Sequence, residues 1–323
     1  MKKFILFFFG IVVVAAITSC STFNNEESKT CISSVNESKT VLALKEYNLK
    51  LMASCQQTRG RKLCTALADI VGAVEGVDRG KTLAGVVGVA TGGTGFWAVV
   101  AGTALIFGAS ASYISYKNYT CAYAINASEL FDFTKDAVVN KIAFVKNDSL
   151  LDVKDSLVDD PLTASVENGV ELPSDFSYIR TLGINHNAIL SAANVVGKLP
   201  ETSEVEANVM KPMELAPEDY AKFNDAMNSE ELKQVFEVDS NNIGQINCLD
   251  NLQNCSERVK QALQGYLDLF EIYPDNADDV AEIANGYIKI IEENNEFTAE
   301  EKELIYSAIM VSVYSPQFWA EIE

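Results

Sequence analysis

The chain has 323 residues, of which 48% are hydrophobic, and a formal net charge of −20 at pH 7. The charge is divided unevenly: residues 1–120 hold 12 lysines and arginines against 7 acidic residues (net +5), whereas residues 121–323 hold 13 against 38 (net −25). Such an acidic surface repels the phosphates of nucleic acids, so nucleic acid is excluded as a partner. The basic first part has the charge to face a membrane.

The N-terminus predicts export. Lys2 and Lys3 precede an apolar run over residues 4–17 that is too short to span a bilayer and is followed by Thr-Ser-Cys. A charged start, an apolar segment and small residues at its end are typical of a secretory signal peptide, here residues 1–19. The sequence Ile-Thr-Ser-Cys also resembles the bacterial lipobox, which implies that Cys20 becomes the acylated first residue of the mature protein. An ordinary cleaved signal peptide or an uncleaved anchor is the alternative.

Residues 20–35 are polar and lack periodicity, which predicts a flexible tether between the lipid and the folded part. Glu26 and Glu27, close behind the cysteine, resemble the surface-export signal of Bacteroidota lipoproteins. The expected location is therefore the cell envelope, with the protein anchored by its lipid to the outer membrane, on the periplasmic or the surface side.

Residues 36–127 predict helices that include a glycine-rich hairpin. Residues 41–55 and 63–77 carry apolar side chains at helical spacing, and no charged residue lies between Lys81 and Lys117. The uncharged stretch is too long for a single membrane span of about 20 residues, and T-G-G-T-G at residues 91–95 is a natural turn within it. We therefore expect two helices that fold back on each other.

Small residues recur every four positions on both limbs of this hairpin, which places them along one ridge of each helix. Such ridges let two helix backbones approach closely, as in small-xxx-small packing. We expect the first ridge to contact residues 106–112, with Phe96 and Trp97 at the turn and the indole N–H reaching water or a polar group. The ridge residues are Gly72, Gly76 and Gly80 on the first limb and Ala104, Gly108 and Ser112 on the second.

Residues 128–323 predict an acidic helical domain. Helical apolar patterns recur between polar loops, Thr298 and Glu301 form a capping-box pair, and no alternating strand pattern of comparable length occurs in the sequence. About 200 residues are enough to build a hydrophobic core. The predicted fold is all-α, with the glycine-rich hairpin packed against an acidic multi-helix domain.

Six cysteines remain once Cys20 is set aside, and an even number in an exported chain predicts up to three disulfides. Six cysteines allow 15 connectivities, and the spacing favours one pair, Cys248 with Cys255, across the short loop LDNLQN. No C-x-x-C pair occurs and the single histidine is distant in sequence, so neither zinc nor another cofactor is expected. The six are Cys31, Cys55, Cys64, Cys121, Cys248 and Cys255.

The only histidine belongs to the motif G-x-x-H-N-x-x-L, formed by Gly183, His186, Asn187 and Leu190. A catalytic base here would need a nucleophile and an orienting partner, and no G-x-S-x-G or comparable pattern accompanies it. The simpler interpretation makes Asn185 or Asn187 a helix cap, with His186 hydrogen-bonded under the preceding loop. No catalytic residue is therefore assigned, and enzymatic activity is not expected.

Two further patterns have simple alternatives. Residues 239–250 nearly match a calcium-binding loop, but Ile243 replaces a ligand and Asp250 replaces the bidentate glutamate, so an ordinary loop is expected. Ser149 and Ser156 each lie in a D-[ST]-aliphatic sequence that resembles the O-glycosylation signal of exported Bacteroidota proteins. Exposed serines on an acidic helix are the equal alternative.

Three stretches together resemble a group of uncharacterised Bacteroidota lipoproteins. They are residues 64–97 with the glycines, residues 182–190 with the histidine motif, and the C-terminal S-V-Y-S-P-Q-F-W at residues 312–319. Those proteins combine a glycine-rich, bacteriocin-like hairpin with a G-x-x-H-N-x-x-L motif and an aromatic ending. The resemblance supplies no catalytic residues.

The expected function is binding or membrane contact by a lipid-anchored, disulfide-bonded envelope protein. Its expected partners are the membrane, through the lipid on Cys20, and a protein. The competing expectation is a membrane-active, toxin-like protein whose hairpin leaves the body and inserts into a bilayer. Dye release from anionic liposomes distinguishes the two, because a binding scaffold leaves liposomes intact.

Overall fold

The described part of the chain is mostly helical, which confirms the all-α prediction. The computed structural model describes residues 38–53, 61–89, 93–118, 122–123, 135–136, 138–139, 166–167, 169–192, 215–234, 244–245, 249, 252, 254–272 and 277–321. The longer helices are α1 (Lys39–Met52), α2 (Arg61–Val86), α3 (Thr94–Asn118), α4 (Arg180–Ala192), α5 (Pro217–Met227), α6 (Glu257–Ile272), α7 (Ala277–Asn294) and α8 (Ala299–Glu321). A 3₁₀-helix, Ser174–Ile179, leads directly into α4.

Within these ranges, extended backbone is confined to two-residue strands. Strand β1 (Ala122–Tyr123) pairs antiparallel with β4 (Gly244–Gln245), and β2 (Val166–Glu167) pairs antiparallel with β3 (Val170–Glu171). Ala122 lies opposite Gln245, and Val166 lies opposite Glu171. Residues 37–323 form one compact unit, in which hairpin and acidic helices share a hydrophobic core.

Helices α2 and α3 form the antiparallel hairpin that the sequence predicts. A Cβ at Gly76 would lie 2.5 Å from the Ala104 Cα, and one at Gly80 would lie 2.8 Å from the Val100 Cα. Carbon atoms do not pack so closely, so only glycine permits this contact between the two backbones. The facing pairs are Gly72 with Gly108, Gly76 with Ala104, and Gly80 with Val100.

The register of the hairpin differs from the predicted one. Val100 rather than Ser112 is the third partner on α3, so residues 106–112 meet only the first glycine of the ridge. The physical reason is the position of the turn. Helix α2 ends at Val86 and α3 begins at Thr94, so the midpoint of the hairpin lies before Gly93, the centre of the predicted turn. Ser112 is buried, and its hydroxyl donates to the Ala109 carbonyl at 3.2 Å.

Trp97, near the start of α3, is buried, and its indole N–H has no hydrogen-bond partner among the described residues. The ring meets Tyr178 edge-on, with centroids 4.9 Å apart. The expected polar contact of this N–H is therefore not made by any described residue, and contact with water stays a prediction. The start of α3 lies against α5, where a Cβ at Gly95 would be 2.9 Å from the Asp219 side chain.

Other helices cover most of the remaining apolar surface of the hairpin. Helix α8 packs along α2, α4 packs against both α3 and α8, and α5 packs against α3. The predicted capping box is present at the start of α8: the Glu301 N–H donates to Thr298 Oγ1 at 3.3 Å, and the Thr298 N–H donates to Glu301 Oε2 at 2.9 Å. Residues 304–315 of α8 are buried on every side, as a helix surrounded by other helices must be.

Several charged residues in the described part of α2 have partners inside the protein. Arg79 forms an ion pair with Glu75 one turn away at 3.0 Å, and both side chains are buried. Lys81 donates to the Glu300 carbonyl at 2.9 Å and lies 2.7 Å from a Glu303 carboxylate oxygen. Lys81 thus ties the hairpin to α8, and the partners of all three charges remove much of the penalty of burying them.

Helix α1 docks on α6 and α7 through two adjacent residues that fit against glycines. Asn48 donates to the Gly265 carbonyl at 2.8 Å and accepts a hydrogen bond from the Tyr287 hydroxyl at 2.8 Å. The neighbouring Tyr47 packs over Gly286, where a Cβ would collide with the tyrosine ring. The sequences Q-G-Y in α6 and N-G-Y in α7 therefore form the two notches that hold α1.

Candidate functional site

The three stretches that carry the lipoprotein resemblance meet at one buried carboxylate, Asp69 of α2. Its Oδ1 lies 2.9 Å from His186 Nε2 on α4. Its Oδ2 accepts hydrogen bonds from Ser315 Oγ at 2.6 Å and from Trp319 Nε1 at 2.5 Å, both on α8. We call Asp69, His186, Asn187, Ser315 and Trp319 the Asp69 cluster; each of them is at most 2% exposed.

The motif G-x-x-H-N-x-x-L is the surface by which α4 docks on its neighbours. Its four residues recur at i, i+3, i+4 and i+7, so they share one face of the helix. A Cβ at Gly183 would collide with the Met310 carbonyl and the Tyr314 ring of α8. Leu190, at the other end of the face, is fully buried. The motif thus combines a close helix contact, two polar contacts and a core leucine.

The ending S-P-Q-F-W supplies the donors from α8. Ser315 and Trp319 are four residues apart, so both side chains lie on the same face and reach the same carboxylate oxygen. Pro316, between them, lies inside the helix and cannot donate a backbone hydrogen bond. The Trp319 ring also stacks on Tyr116 of α3, with centroids 5.1 Å apart. Helices α2, α3, α4 and α8 therefore all meet at this cluster.

The hydrogen bonds of Asn187 indicate that the His186 ring is protonated on both nitrogens. The Asn187 amide nitrogen donates to the Tyr314 carbonyl at 2.8 Å, which leaves its Oδ1 facing His186 Nδ1 at 3.1 Å. An amide oxygen and an ionised carboxylate can only accept, so with Asp69 ionised both ring nitrogens donate. Burial by itself lowers the pKa of a histidine, but the Asp69 charge and the hydrogen bonds to Asp69 and Asn187 outweigh it and raise the pKa of His186.

Serine, histidine and aspartate also occur in hydrolase triads, but this arrangement differs from one. In a triad the histidine accepts the serine proton and the aspartate orients the histidine. Here Ser315 donates to Asp69 rather than to His186, and both ring nitrogens of His186 are occupied. The cluster is also sealed from solvent, so its evident effect is to hold helices together.

The structure corrects the capping interpretation of the asparagines. Helix α4 begins at Arg180, directly after the 3₁₀-helix, so Asn185 and Asn187 lie inside the helix rather than at its start. His186 is not bonded under a preceding loop but reaches Asp69, which is 117 residues away in sequence. The helix begins earlier than predicted because the buried Phe176 and Ile179 carry the apolar pattern back through the 3₁₀ turn.

The predicted bond between Cys248 and Cys255 is wrong, because Cys255 has a free, half-buried thiol. The preceding residue fixes its position: the Asn254 backbone N–H donates to Asp78 Oδ1 at 3.1 Å, and the Asn254 amide donates to Thr82 Oγ1 at 3.1 Å. Burial, with the nearby Asp78 charge, raises the pKa of the Cys255 thiol to about 11.

Several other predicted sites lie outside the described residues. Cys64 is disulfide-bonded in the structure, and the rest of the predicted disulfide framework stays a prediction. The near-calcium loop is described only at residues 244–245 and 249. The predicted site residues that lie outside the described ranges are Cys20, Cys31, Cys55, Cys121, Cys248, Ser149 and Ser156.

Sequence reasoning missed Asp69, Ser315 and Trp319 as members of one site. The sequence held part of the signal for this site. Asp69 is the first charged residue of an otherwise apolar helical stretch, and Ser315 and Trp319 have helical spacing. Nothing in the spacing indicates that they meet His186, because the contacts span up to 250 residues. Only the packing of four helices brings them together.

Among the described residues, no group of three or more histidine, cysteine or acidic side chains is arranged to hold a metal ion. Comparison with protein-family models, with curated proteins and with solved structures found no match to this chain.

Proposed function

We propose that the protein is anchored to the bacterial outer membrane by a lipid on Cys20, and that its folded body acts by binding a protein or by contact with the membrane, without catalysis. The signal-peptide pattern and the Ile-Thr-Ser-Cys sequence support the anchor. The sealed Asp69 cluster is consistent with a structural rather than a catalytic role for the conspicuous histidine.

The observation that carries the proposal is the burial of the one described helix that is long and apolar enough to cross a bilayer. This segment, Gly95–Tyr116, has 22 residues and a mean hydropathy of 1.5, and 94% of its most apolar window lies inside the protein. The glycine contacts with α2 and the stacking of Trp319, a member of the Asp69 cluster, on Tyr116 both hold it there. Withdrawing the whole hairpin would also separate Asp69 of α2 from His186 of α4 and expose the core, which opposes spontaneous insertion.

The anchor is tested by labelled palmitate. Wild-type protein should incorporate the label and sediment with membranes, whereas Cys20→Ala should do neither, because the thiol that carries the acyl group is gone. The matched variant Thr22→Ala should behave as wild type. Equal labelling of wild type and Cys20→Ala would refute the anchor.

The resting position of the hairpin is tested with dye-loaded anionic vesicles. Protein without its lipid should leave the vesicles intact, because the hairpin stays packed inside the body. Rapid dye release at low protein-to-lipid ratio would contradict a binding scaffold.

The second candidate is a toxin-like protein that inserts the hairpin, and the observation in its favour is that α3 is apolar on every side. Loosening the Asp69 cluster should then promote insertion. In that case Asp69→Ala would release dye faster than the surface variant Glu293→Gln, with circular dichroism confirming that both remain folded. A binding scaffold predicts intact vesicles for both variants.

A further inference from the structure

The inner face of α1 is occupied by its own chain. Asn48 and Tyr47 fit against the glycines of α6 and α7, while Val41 and Leu44 lie in the core. Glu296, from the connection between α7 and α8, accepts hydrogen bonds at the start of α1, including one of 2.8 Å from the Thr40 N–H. These contacts fix the rotation of α1 about its axis and therefore determine which side chains face outward.

The outer face of α1 combines apolar and basic side chains. Leu42 and Leu49 are 44% and 68% exposed, and with Val86 they are the large hydrophobic residues that are exposed in the described part of the chain. They are two helical turns apart and form one stripe. By helical geometry Lys45 flanks the stripe on one side, and Lys39 and Lys50 flank it on the other, with one acidic residue, Glu46, among them.

A leucine stripe between lysines is the pattern of a helix that lies in a membrane interface. The leucines enter the boundary between headgroups and acyl chains, and the lysine stems bury while their ammonium groups stay at the phosphates. Anionic lipid attracts such a face and repels the strongly acidic part of the chain, residues 121–323. The charge distribution therefore favours one orientation of the body over the others.

The position of α1 in the chain fits this role. Seventeen residues, 21–37, separate Cys20 from Ser38, which precedes α1. Even fully extended they span at most ~60 Å, so an acyl chain on Cys20 keeps α1 near the bilayer at high local concentration. Weak contacts are then sufficient, because anchoring and docking act together.

We propose that the outer face of α1 docks on the anionic surface of the membrane that holds the lipid anchor, and so orients the body with its acidic helices away from the bilayer. This inference rests on the proposed anchor at Cys20. Each net positive charge at an anionic surface contributes about fivefold to partitioning, and Glu46 offsets one of the three lysines, so the face contributes on the order of 25-fold.

The experiment places a fluorophore at Ala53, the exposed residue that directly follows α1 and lies in line with the leucine stripe. Ala53→Cys is prepared in a background in which Cys255 and every other cysteine that alkylates in the native wild type are replaced with serine. The protein is labelled with bimane, and the lipidated full-length protein is reconstituted in vesicles that carry a lipid-borne quencher. Vesicles with 30% phosphatidylglycerol are compared with pure phosphatidylcholine. A bimane at Lys289→Cys, exposed on α7, is the reference position.

We expect quenching at position 53 to exceed that at position 289 several-fold in anionic vesicles and to fall to the reference level in phosphatidylcholine. Replacing Lys39, Lys45 and Lys50 with glutamine should abolish the difference. The matched triple replacement of Lys222, Lys233 and Lys289, read at position 53, should leave the quenching there unchanged, because it alters the net charge equally but lies off the docking face.

Flotation of the same samples separates the two proposals. Protein that floats with the vesicles but shows equal quenching at positions 53 and 289 overturns the docking face and leaves the anchor intact. Equal quenching at position 53 in both vesicle types also overturns it, since the lysines then contribute nothing. Protein that does not float overturns both the anchor and the docking that depends on it.

Discussion

Asp69 and His186 are 117 residues apart in sequence and share one buried hydrogen bond of 2.9 Å. Asp69 accepts two further hydrogen bonds from α8, and His186 donates a second one to Asn187. A buried charge pair is tolerated only when its hydrogen bonds are satisfied, and here each member has its partners. At the scale of single residues, this cluster couples the positions of four helices to one another.

The first prediction concerns the charge of His186. The chain has a single histidine, so nitrogen NMR of the imidazole reports it without ambiguity. At pH 7 both ring nitrogens should be protonated, and the ring should titrate above the ordinary value of about 6.5, because Asp69 and Asn187 both accept from it. Observation of a neutral tautomer at pH 7 would contradict the assignment.

The raised pKa also sets the sign of the pH dependence. A group with a higher pKa in the folded state contributes its full stabilisation below its unfolded pKa and loses it as the pH rises through the folded value. The free energy of unfolding of the wild type, relative to His186→Gln, should therefore be constant in mildly acidic solution and decline with increasing pH above about 6.5. Urea denaturation of both proteins across this range is the measurement.

The second prediction concerns Glu296. Hydrogen bonds from the Ser38 hydroxyl and from the Thr40 backbone N–H and hydroxyl lower the pKa of this carboxyl to about 2. The stabilisation that the Glu296 carboxylate gives to the folded state is therefore present above pH 4.5, the ordinary pKa of a glutamate, and is lost as the pH falls toward 2. At pH 7, Glu296→Gln should speed amide hydrogen exchange in α1, and this difference from wild type should disappear near pH 2.

Glu293→Gln is the control for Glu296, because that carboxylate is exposed and 3.9 Å from Lys289. It should leave exchange in α1 unchanged. Identical exchange in wild type and Glu296→Gln at pH 7 would show that the carboxylate does not hold the start of the helix.

At the scale of elements, glycine has different effects at different places on the same helix. At Gly76 a Cβ would lie 2.5 Å from the Ala104 Cα and 2.8 Å from the Thr103 carbonyl oxygen, so backbone opposes backbone. Gly85, nine residues later on α2, is exposed and has nothing within 4 Å of the same position. The first glycine is required by packing, whereas the second only lowers the helix propensity.

The third prediction follows from this contrast. Gly76→Ala should destabilise the protein by about 1–3 kcal/mol through overpacking, and Gly76→Leu by at least as much. Gly85→Ala, the matched control, should be neutral or stabilise by up to about 1 kcal/mol because alanine favours the helix. Chemical denaturation measures all three variants. A Gly76→Leu protein as stable as wild type would refute the close contact between α2 and α3.

At the scale of the whole molecule, the hairpin and the acidic helices share one core within residues 37–323. Trp97 belongs to the hairpin and Trp319 to α8, while far-ultraviolet circular dichroism averages over all helices. The fourth prediction is that thermal unfolding followed by tryptophan fluorescence and by circular dichroism gives coincident transitions, as expected for one cooperative unit.

Asp69→Ala should shift both transitions together, because removing one partner of a buried pair costs about 3–5 kcal/mol. The surface variant Glu293→Gln should change stability by no more than about 0.5 kcal/mol. Two separate transitions in the wild type would mean that the hairpin and the acidic helices unfold independently, contrary to a shared core.

The sequence by itself determined the local features of this protein. The helical periodicity, the hairpin with its glycine ridges and the capping box of Thr298 and Glu301 follow from spacing within about one or two turns, and the structure has all of them. Such features depend on neighbours along the chain, so the residues that decide them stand together in the sequence.

Only the tertiary structure decided the register of the hairpin, the burial of Trp97, the free thiol of Cys255 and the convergence on Asp69. The register depends on where the turn falls to within one residue, and the thiol depends on how Asn254 binds α2. The Asp69 cluster joins donors 117 and 250 residues away through the packing of four helices. One sequence pattern is compatible with many such packings, because periodicity specifies which face of a helix is buried but not which helix buries it.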